Sequence, residues 1–301
     1  MPAEVCKKMN EFKTFHPFVN FAYFAAVIGF SVFLTDPFCL AASFVCAFAY
    51  SAILGGKKRL LANTAYLSAL MIITTLVNFL LSHRGATILK YLPSGNPLTL
   101  ESLAYGAASS VMFAAIICCF QCFGDVMTSD KFMYLFGRIT PSLSLVLSMT
   151  LRFVSKFKRQ AKSIALSQKS LNNGEKNVVQ RGKNAIAALS ALVTWALENA
   201  VDTSESMKSR GYGLDGRTTY SPFEFDRRDG AALLFITASS VYTLAGILGG
   251  VLKMSYFPHI AYAALSQYGI SVRAVYLLLC AMPVAMEIEE EVRWRKLKSK
   301  I

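Results

Sequence analysis

The chain has 301 residues, of which 54% are hydrophobic and 12% aromatic, and it carries a formal net charge of +13. This composition predicts a bundle of membrane helices with one modest soluble part. A basic charge also suggests nucleic-acid binding, but here the basic residues flank apolar stretches and would face anionic lipid headgroups. We therefore expect a lipid bilayer around the chain and no nucleic-acid partner.

Six apolar stretches predict six membrane-spanning helices. Five of them hold no charged residue, and the sixth holds only Arg273. They cover residues 19–34, 38–54, 64–81, 102–123, 231–252 and 270–286. A hydrocarbon core about 30 Å thick requires roughly 17–25 apolar residues, and its lack of water requires helical hydrogen bonding. The first two stretches are short for this, and Asp36-Pro37 between them predicts a tight turn at the outer surface.

The basic residues predict the orientation of these helices. With the N-terminus in the cytoplasm, 27 of the 31 Lys and Arg residues lie inside, in residues 1–18, 55–63, 124–230 and 287–301. Without the long segment 124–230, the inner side still has 11 against 4. The sequence therefore predicts a multi-pass protein of a cell membrane, with both termini cytoplasmic. Arg273 lies near the outer end of its span, where reaching to the interface is favoured over facing the bundle interior.

Residues 130–229 have a different character, with many charges and a helical period. They divide the chain into an N-terminal membrane part, 1–129, and a C-terminal membrane part with a basic tail, 230–301. A first long amphipathic helix is predicted over 141–171, because Pro141 suits a first turn and Asn172-Asn173-Gly174 suits an end. Its polar face is basic and carries Arg152, Lys156, Arg159, Lys162 and Lys169.

A second long helix is predicted from Ala185 to about Arg210, after a polar linker over 174–184. Its early part, 185–196, is apolar nearly all round, which also fits a shallow dip into the membrane. Its later part is acidic, with Glu198, Asp202 and Glu205 at helical spacing. The basic and acidic flanks are placed to pair, at about 0–1 kcal/mol for each exposed pair, and the apolar stripes hold the helices together.

The same segment contains an alternative pair of membrane crossings. Residues 139–151 and 185–201 are apolar enough to be considered, and two more crossings leave both termini inside. That arrangement moves the basic block 156–183 to the outer side, against the charge rule, so we reject it.

The second helix ends in a short motif, Ser206-Met207-Lys208-Ser209-Arg210-Gly211-Tyr212-Gly213. This ending resembles the transmembrane T component of energy-coupling-factor (ECF) transporters, the EcfT/CbiQ family of bacterial vitamin, cobalt and nickel importers. In that family, two long cytoplasmic helices each end in a small-Arg-Gly signature, and Ser209-Arg210-Gly211 is similar to the second. Further segments that resemble the family are His16-Pro17-x-Val19-Asn20, Leu151-Arg152-Phe153-Val154 and the basic tail around Trp294.

The resemblance implies a fold, partners and a docking site. It implies about six membrane helices with two cytoplasmic coupling helices, and a non-catalytic scaffold in a bacterial cell membrane. The implied partners are two ABC-type ATPases, or one fused ATPase, and a small membrane subunit, the S component, that binds the substrate. The implied ATPase-docking residues are Ser209, Arg210 and Gly211. At the first signature, Lys169, Ser170 and Leu171 form a degenerate second site, because Leu171 stands where the family has arginine.

Two physical interpretations of Arg210-Gly211 stand side by side. Arginine presents five donors in a planar fork that grips carboxylates or carbonyls, and small neighbours let a partner approach closely. A basic residue followed by glycine is also a common helix ending, since the cation offsets the helix dipole and glycine adopts the left-handed cap.

Other functions are disfavoured by what the sequence lacks. No G-x-x-x-x-G-K-[ST] motif is present, so ATP hydrolysis would belong to another chain. Cys119 and Cys122 form a C-x-x-C without a second ligand pair, and the three histidines share no close spacing, so we expect no metal, no cofactor and no enzyme site. The competing class is a self-contained permease or channel with a regulatory helical domain. Its spans offer only Asn78, Gln121 and Arg273 to line a solute path.

Overall fold

The computed structural model describes residues 11–82, 85–91, 97–137, 141–171, 178–214, 223–262 and 266–298. This part of the chain is almost entirely helical, which confirms the predicted all-α class. Two pairs of short antiparallel strands accompany the helices. In chain order the elements are α1 (Glu11–Thr14), α2 (Pro17–Phe33), α3 (Pro37–Leu81), β1 (Ile88–Tyr91), β2 (Pro97–Thr99), α4 (Leu100–Val126), α5 (Ser129–Gly137), α6 (Pro141–Leu171), α7 (Val178–Ser209), α8 (Arg227–Leu248), β3 (Met254–Ser255), β4 (Ala261–Tyr262) and α9 (Gln267–Lys298).

The chain forms two compact units. The membrane unit comprises Met1–Lys131 and Phe223–Ile301, and the two-helix unit comprises Phe132–Pro222. The first helix of the second unit runs over Pro141–Leu171, as the sequence predicts. The second helix begins at Val178, earlier than predicted, so residues 178–184 of the expected linker are helical. The predicted helix end at Asn172-Asn173-Gly174 lies outside the described residues.

Among the described residues, six helices are long and apolar enough to cross a membrane. They are Pro37–Gly56, Arg59–Leu81, Leu100–Val126, Gly182–Ser209, Arg227–Leu248 and Gln267–Leu297. Four of them contain the second, third, fourth and sixth predicted spans, and Arg227–Leu248 contains all but the last four residues of the fifth. The chain is a multi-pass membrane protein. The first predicted span lies in α2, whose 17 residues reach about 26 Å and fall short of this group. The remaining helix, Gly182–Ser209, lies where the sequence predicts a cytoplasmic helix.

The turn between α2 and α3 forms at the predicted place, and its residues explain why. Asp36 caps α3, since its Oδ1 accepts the backbone N–H of Phe38 at 3.0 Å, and Pro37 occupies the first helical position. Further along, the predicted cytoplasmic loop 55–63 is a sharp break instead. Gly56 has φ +68°, a conformation that favours glycine, and the helix resumes by Arg59.

Small residues bring α3 and α4 close together. Gly106 lies so near α3 that a Cβ added there would lie 3.1 Å from the Thr75 carbonyl oxygen. Four residues earlier, the Ser102 hydroxyl donates to the Asn78 carbonyl at 3.0 Å. Gly106 and Ser102, two small residues of the fourth predicted span, thus serve packing within this bundle. Asn78 itself donates to the Thr74 carbonyl at 3.1 Å.

Arg273 pairs within the protein with Asp36, the residue of the turn that the sequence places at the outer surface. Its Nε donates to Asp36 Oδ2 at 2.8 Å, and a second guanidinium nitrogen lies 2.6 Å from the same oxygen. The side chains of Arg273 and Asp36 are only 18% and 6% exposed. The sequence could not show this pair, because the two residues are 237 positions apart.

Hydroxyl groups in the core of the membrane unit have internal partners. The Tyr276 hydroxyl lies 2.6 Å from Ser43 Oγ and 3.3 Å from Ser31 Oγ. The Tyr23 hydroxyl donates to the Cys280 carbonyl at 3.1 Å. Buried polar groups of this kind join α2, α3 and α9 without a charge.

Candidate docking site

The predicted docking motif lies at the end of α7, where a Schellman cap closes the helix. The Gly211 N–H donates to the Lys208 carbonyl at 3.0 Å, and the Tyr212 N–H donates to the Met207 carbonyl, also at 3.0 Å. Gly211 has φ +79°, which an L residue rarely adopts. The helix-cap interpretation of Arg210-Gly211 is therefore confirmed, and it leaves Arg210 at a fixed position just past the last helical residue, Ser209.

The side chains around this cap face outward. Ser209 Oγ donates to the Ser206 carbonyl at 2.9 Å, and Arg210 is exposed. Beyond Gly211, Tyr212 and Leu214 are also exposed. The chain folds back there, since the Leu214 N–H donates to the Gly211 carbonyl at 3.2 Å. The tip thus presents one guanidinium beside an aromatic and an aliphatic side chain.

Leu214 was not part of the predicted motif. The available signal was a leucine beside a glycine at a helix end, with polar residues following. Its exposure gives a docking surface an apolar component that Ser209, Arg210 and Gly211 alone lack.

The degenerate second site lies in the last turn of α6. Ser170 is exposed, and its Oγ donates to the Leu166 carbonyl at 3.1 Å, as serine often does within a helix. The side chains of Lys169 and Leu171 lie outside the described part of the structure, and Leu171 is the last residue of α6.

The two long helices contact each other through aromatic and amide groups, and not through the predicted ion pairs. The Trp195 ring lies 5.6 Å from the Phe157 ring, centroid to centroid, and edge-on to it. Lys156 Nζ lies 5.4 Å from the centre of the same indole ring and donates to Asn199 Oδ1 at 2.9 Å. Where the structure describes them, no salt bridge joins α6 to α7.

Trp195 is the residue that sequence reasoning missed. It lies in the stretch that is apolar all round, where no face stands out by periodicity. Its partner Phe157, on α6, does belong to the predicted apolar stripe. A tryptophan flanked at helical spacing by an amide was the available signal, since such a residue often anchors a contact.

The opposite face of α7 is apolar and exposed. Its residues recur every three or four positions, and they are Ile186, Leu189, Val193 and Leu197. The helix therefore has apolar side chains on two sides. This explains why Gly182–Ser209 meets the length and hydropathy of a membrane span although its neighbours in the sequence are charged.

The residues considered for a solute path are engaged in the packing of the membrane unit. Gln121 Oε1 accepts the Asn63 side-chain amide at 2.9 Å, and that amide also donates to Ser51 Oγ at 2.9 Å. Arg273 is held by Asp36, and Asn78 by its own helix. The structure assigns each of the three a different partner.

Comparison with known proteins identifies relatives for part of the chain. The protein of Lactococcus lactis subsp. cremoris (strain MG1363) named energy-coupling factor transporter transmembrane protein EcfT is 32% identical over 102 residues. That match covers 33% of this chain and 38% of the relative. Over about a third of its length, the chain is similar to EcfT.

Two further relatives carry the same name. The EcfT of Bacillus selenitireducens (strain ATCC 700615 / DSM 15326 / MLS10) is 29% identical over 115 residues, which cover 37% of this chain and 43% of that protein. The EcfT of Lactobacillus helveticus (strain DPC 4571) is 34% identical over 98 residues, covering 31% and 35%. The chain thus spans less than half the length of the curated relatives that it matches. No family model matches the chain.

Proposed function

We propose that this chain is the transmembrane T component of an ECF transporter. In this proposal it is a scaffold without catalytic activity, which passes the ATP-driven motion of two ATPase subunits to a substrate-binding S component. It lies in a bacterial cell membrane with both termini cytoplasmic, and it serves the uptake of a vitamin, a metal ion or another micronutrient. The observation that carries the proposal is the similarity to EcfT proteins over about a third of the chain.

The tip of α7 supports the proposed docking role of Ser209, Arg210 and Gly211. The Schellman cap fixes the backbone of Arg210, so the helix end need not be ordered when its guanidinium binds a carboxylate or carbonyls. The exposed Tyr212 and Leu214 add apolar contact around it. An arginine surrounded by apolar groups is typical of an interface hot spot, whose loss costs about 2 kcal/mol or more.

Charge reversal at the tip tests the docking role. The chain and the ATPases encoded near its gene would be co-expressed, and the ATPases recovered on the tagged chain would be measured. We expect Arg210→Glu to weaken ATPase binding by at least about 30-fold, which corresponds to 2 kcal/mol. Lys208→Glu is the matched control, because Lys208 is exposed on the same turn and reverses the same charge. Equal binding by the two variants would remove Arg210 from the interface.

The degenerate site allows a test by gain of binding. In the proposal, Lys169, Ser170 and Leu171 form a weaker second dock because Leu171 replaces the arginine of the family signature. Leu171→Arg should therefore strengthen ATPase binding, and it should partly restore binding when combined with Arg210→Glu. A variant that binds no better than the parent chain would show that this end of α6 makes no such contact.

Reconstitution of the purified chain alone separates the scaffold from a permease. Each polar residue considered for a solute path already binds a neighbour, and this supports a scaffold. We expect proteoliposomes containing only this chain to take up no vitamin or divalent metal ion above the level of empty liposomes. Uptake by the isolated chain would favour the permease.

A further inference from the structure

The chain passes between its two units twice. A buried amine, that of Lys131, lies where it leaves the membrane unit, and a buried carboxylate, that of Asp229, lies shortly after it returns. The chain leaves the membrane unit between Lys131 and Phe132 and returns between Pro222 and Phe223. Lys131 is 5% exposed and Asp229 is 6% exposed. A charged group so deeply buried requires hydrogen-bond partners. Those of Lys131, and one of the two for Asp229, come from residues 11–20, which we name the N-terminal collar.

On the outgoing side, the collar surrounds the Lys131 amine. Lys131 Nζ donates to the Lys13 carbonyl at 2.5 Å and to the Phe15 carbonyl at 3.5 Å. Asn20 is fully buried, and its amide orientation is set by its neighbours. In the amide orientation that satisfies both of its polar atoms, its oxygen accepts from Lys131 Nζ at 2.7 Å and its nitrogen donates to the Phe12 carbonyl at 3.0 Å. Among the described residues, the acceptors of the amine thus lie in the collar.

On the returning side, the same collar binds the start of α8. The His16 N–H donates to Asp229 Oδ1 at 3.0 Å, and the Asp226 N–H donates to Asp229 Oδ2 at 3.1 Å. The His16 ring also lies 5.3 Å from the Phe225 ring, edge-on. The Asp229 carboxylate therefore joins the first turn of α8 to the collar.

The collar is itself fixed to the membrane helices. Phe12 is fully buried, and its ring lies 5.2 Å from the Tyr23 ring and 6.1 Å from the Tyr50 ring. His16 caps α2, since its Nδ1 accepts the Phe18 N–H at 3.3 Å. Packing and hydrogen bonding together leave the collar little freedom to move independently of α2 and α3.

We propose that the N-terminal collar is a common mount for the two segments of the membrane unit at which the chain leaves and returns, with Lys131 and Asp229 as its positioning residues. This inference rests on the proposed coupling function. A motion imposed at the tip of α7 reaches the membrane helices only if the two joints do not absorb it. If both segments are bound to one rigid collar, a disturbance at residues 129–137 should also reach residues 223–230, whereas two independently held segments would not be coupled.

Hydrogen–deuterium exchange on the purified chain tests the mount without any partner. Lys131→Met keeps the apolar stem and removes the donors, and we expect at least about tenfold faster exchange in residues 129–137. If the collar is shared, exchange should also accelerate in residues 223–230, on the returning side. Lys253→Met is the matched control, because Lys253 is exposed and lies far from both joints in the sequence. Acceleration confined to 129–137 would overturn the common mount.

The second arm uses the complex with its ATPases. The wild-type complex should show a change in the exchange of residues 227–248 on addition of a non-hydrolysable ATP analogue. Lys131→Met and Asp229→Asn lie at opposite joints, and each should reduce that response at least about threefold while ATPase recovery stays at the control level. A response retained in full by both variants would overturn the positioning role. If the wild-type chain recovers no ATPase, the proposed function fails, and the first arm still judges the mount.

Discussion

The membrane unit and the two-helix unit are stabilised by opposite arrangements of polar and apolar groups. In the membrane unit, charged and hydroxyl groups are buried and paired, as with Arg273 and Asp36 or Tyr276 and Ser43. In the two-helix unit, the contact centres on Trp195, and apolar side chains such as Leu197 remain exposed on the other face. In the first unit, internal polar pairs join distant helices, whereas in the second the two long helices meet through an aromatic contact.

The largest expected effect breaks the buried ion pair of the membrane unit. Arg273→Met leaves the Asp36 carboxylate buried without its cation, which should cost about 3–5 kcal/mol in the free energy of unfolding. Thermal or SDS unfolding in detergent would measure the loss. Arg293→Met removes the ion pair between Arg293 and Glu289 in the tail, whose two side chains are 69% and 73% exposed. This loss should cost about 0–1 kcal/mol. Similar losses in both variants would contradict the contrast between buried and exposed pairs.

Close helix packing in the same unit gives the next effect. A Cβ at Gly246 would lie 2.7 Å from a methyl carbon of Val272, a fully buried and β-branched residue. Gly246→Ala should therefore destabilise the unit by about 1–3 kcal/mol. Gly29, in α2, has no atom within 4 Å of an added Cβ, so Gly29→Ala should be neutral or stabilise by up to about 1 kcal/mol. Unfolding of the pair in one detergent compares them, and opposite signs are expected.

The two-helix unit should respond to a single aromatic residue. Trp195→Ala removes the ring that contacts Phe157 and Lys156, and should destabilise the contact between α6 and α7 by about 1–2 kcal/mol. Hydrogen exchange should accelerate in α6 and α7 and stay unchanged in α8 and α9. Leu197→Ala, on the exposed face, should change the exchange of the isolated chain little. The comparison of the two units would be weakened if both variants loosened α6 equally.

The smallest expected effect is a pH dependence of the unfolding free energy that arises from Lys131. Burial lowers the pKa of Lys131 from 10.5 to about 8; Lys13 lowers it further, and Asp229 opposes the shift. Between these two pH values the unfolded chain binds the proton more tightly than the folded one, so Lys131 contributes stability that rises with pH. The difference in unfolding free energy between the wild type and Lys131→Met should therefore shift in favour of the wild type from about pH 7 to about pH 10. If the difference in unfolding free energy does not change between about pH 7 and about pH 10, the Lys131 amine stays charged in the folded protein.

Local patterns predicted much of the architecture. Apolar length identified five of the six long apolar helices, and the span of α6 followed from Pro141 and the helical period. The cap at Gly211 was also predictable from the sequence, because glycine adopts the left-handed conformation that commonly ends a helix. These features depend on neighbours within a few residues, and a sequence shows those directly.

Contacts between distant segments were decided only by the tertiary structure. Charge patterning predicted ion pairs between α6 and α7, yet in the described part of both helices the contact runs through Phe157 and Trp195 and no salt bridge joins them. Likewise, the partner of Arg273 and the cage around Lys131 join segments more than a hundred residues apart. Periodicity fixes which face of a helix is apolar, but which side chains meet depends on the register between helices, and only folding sets that register.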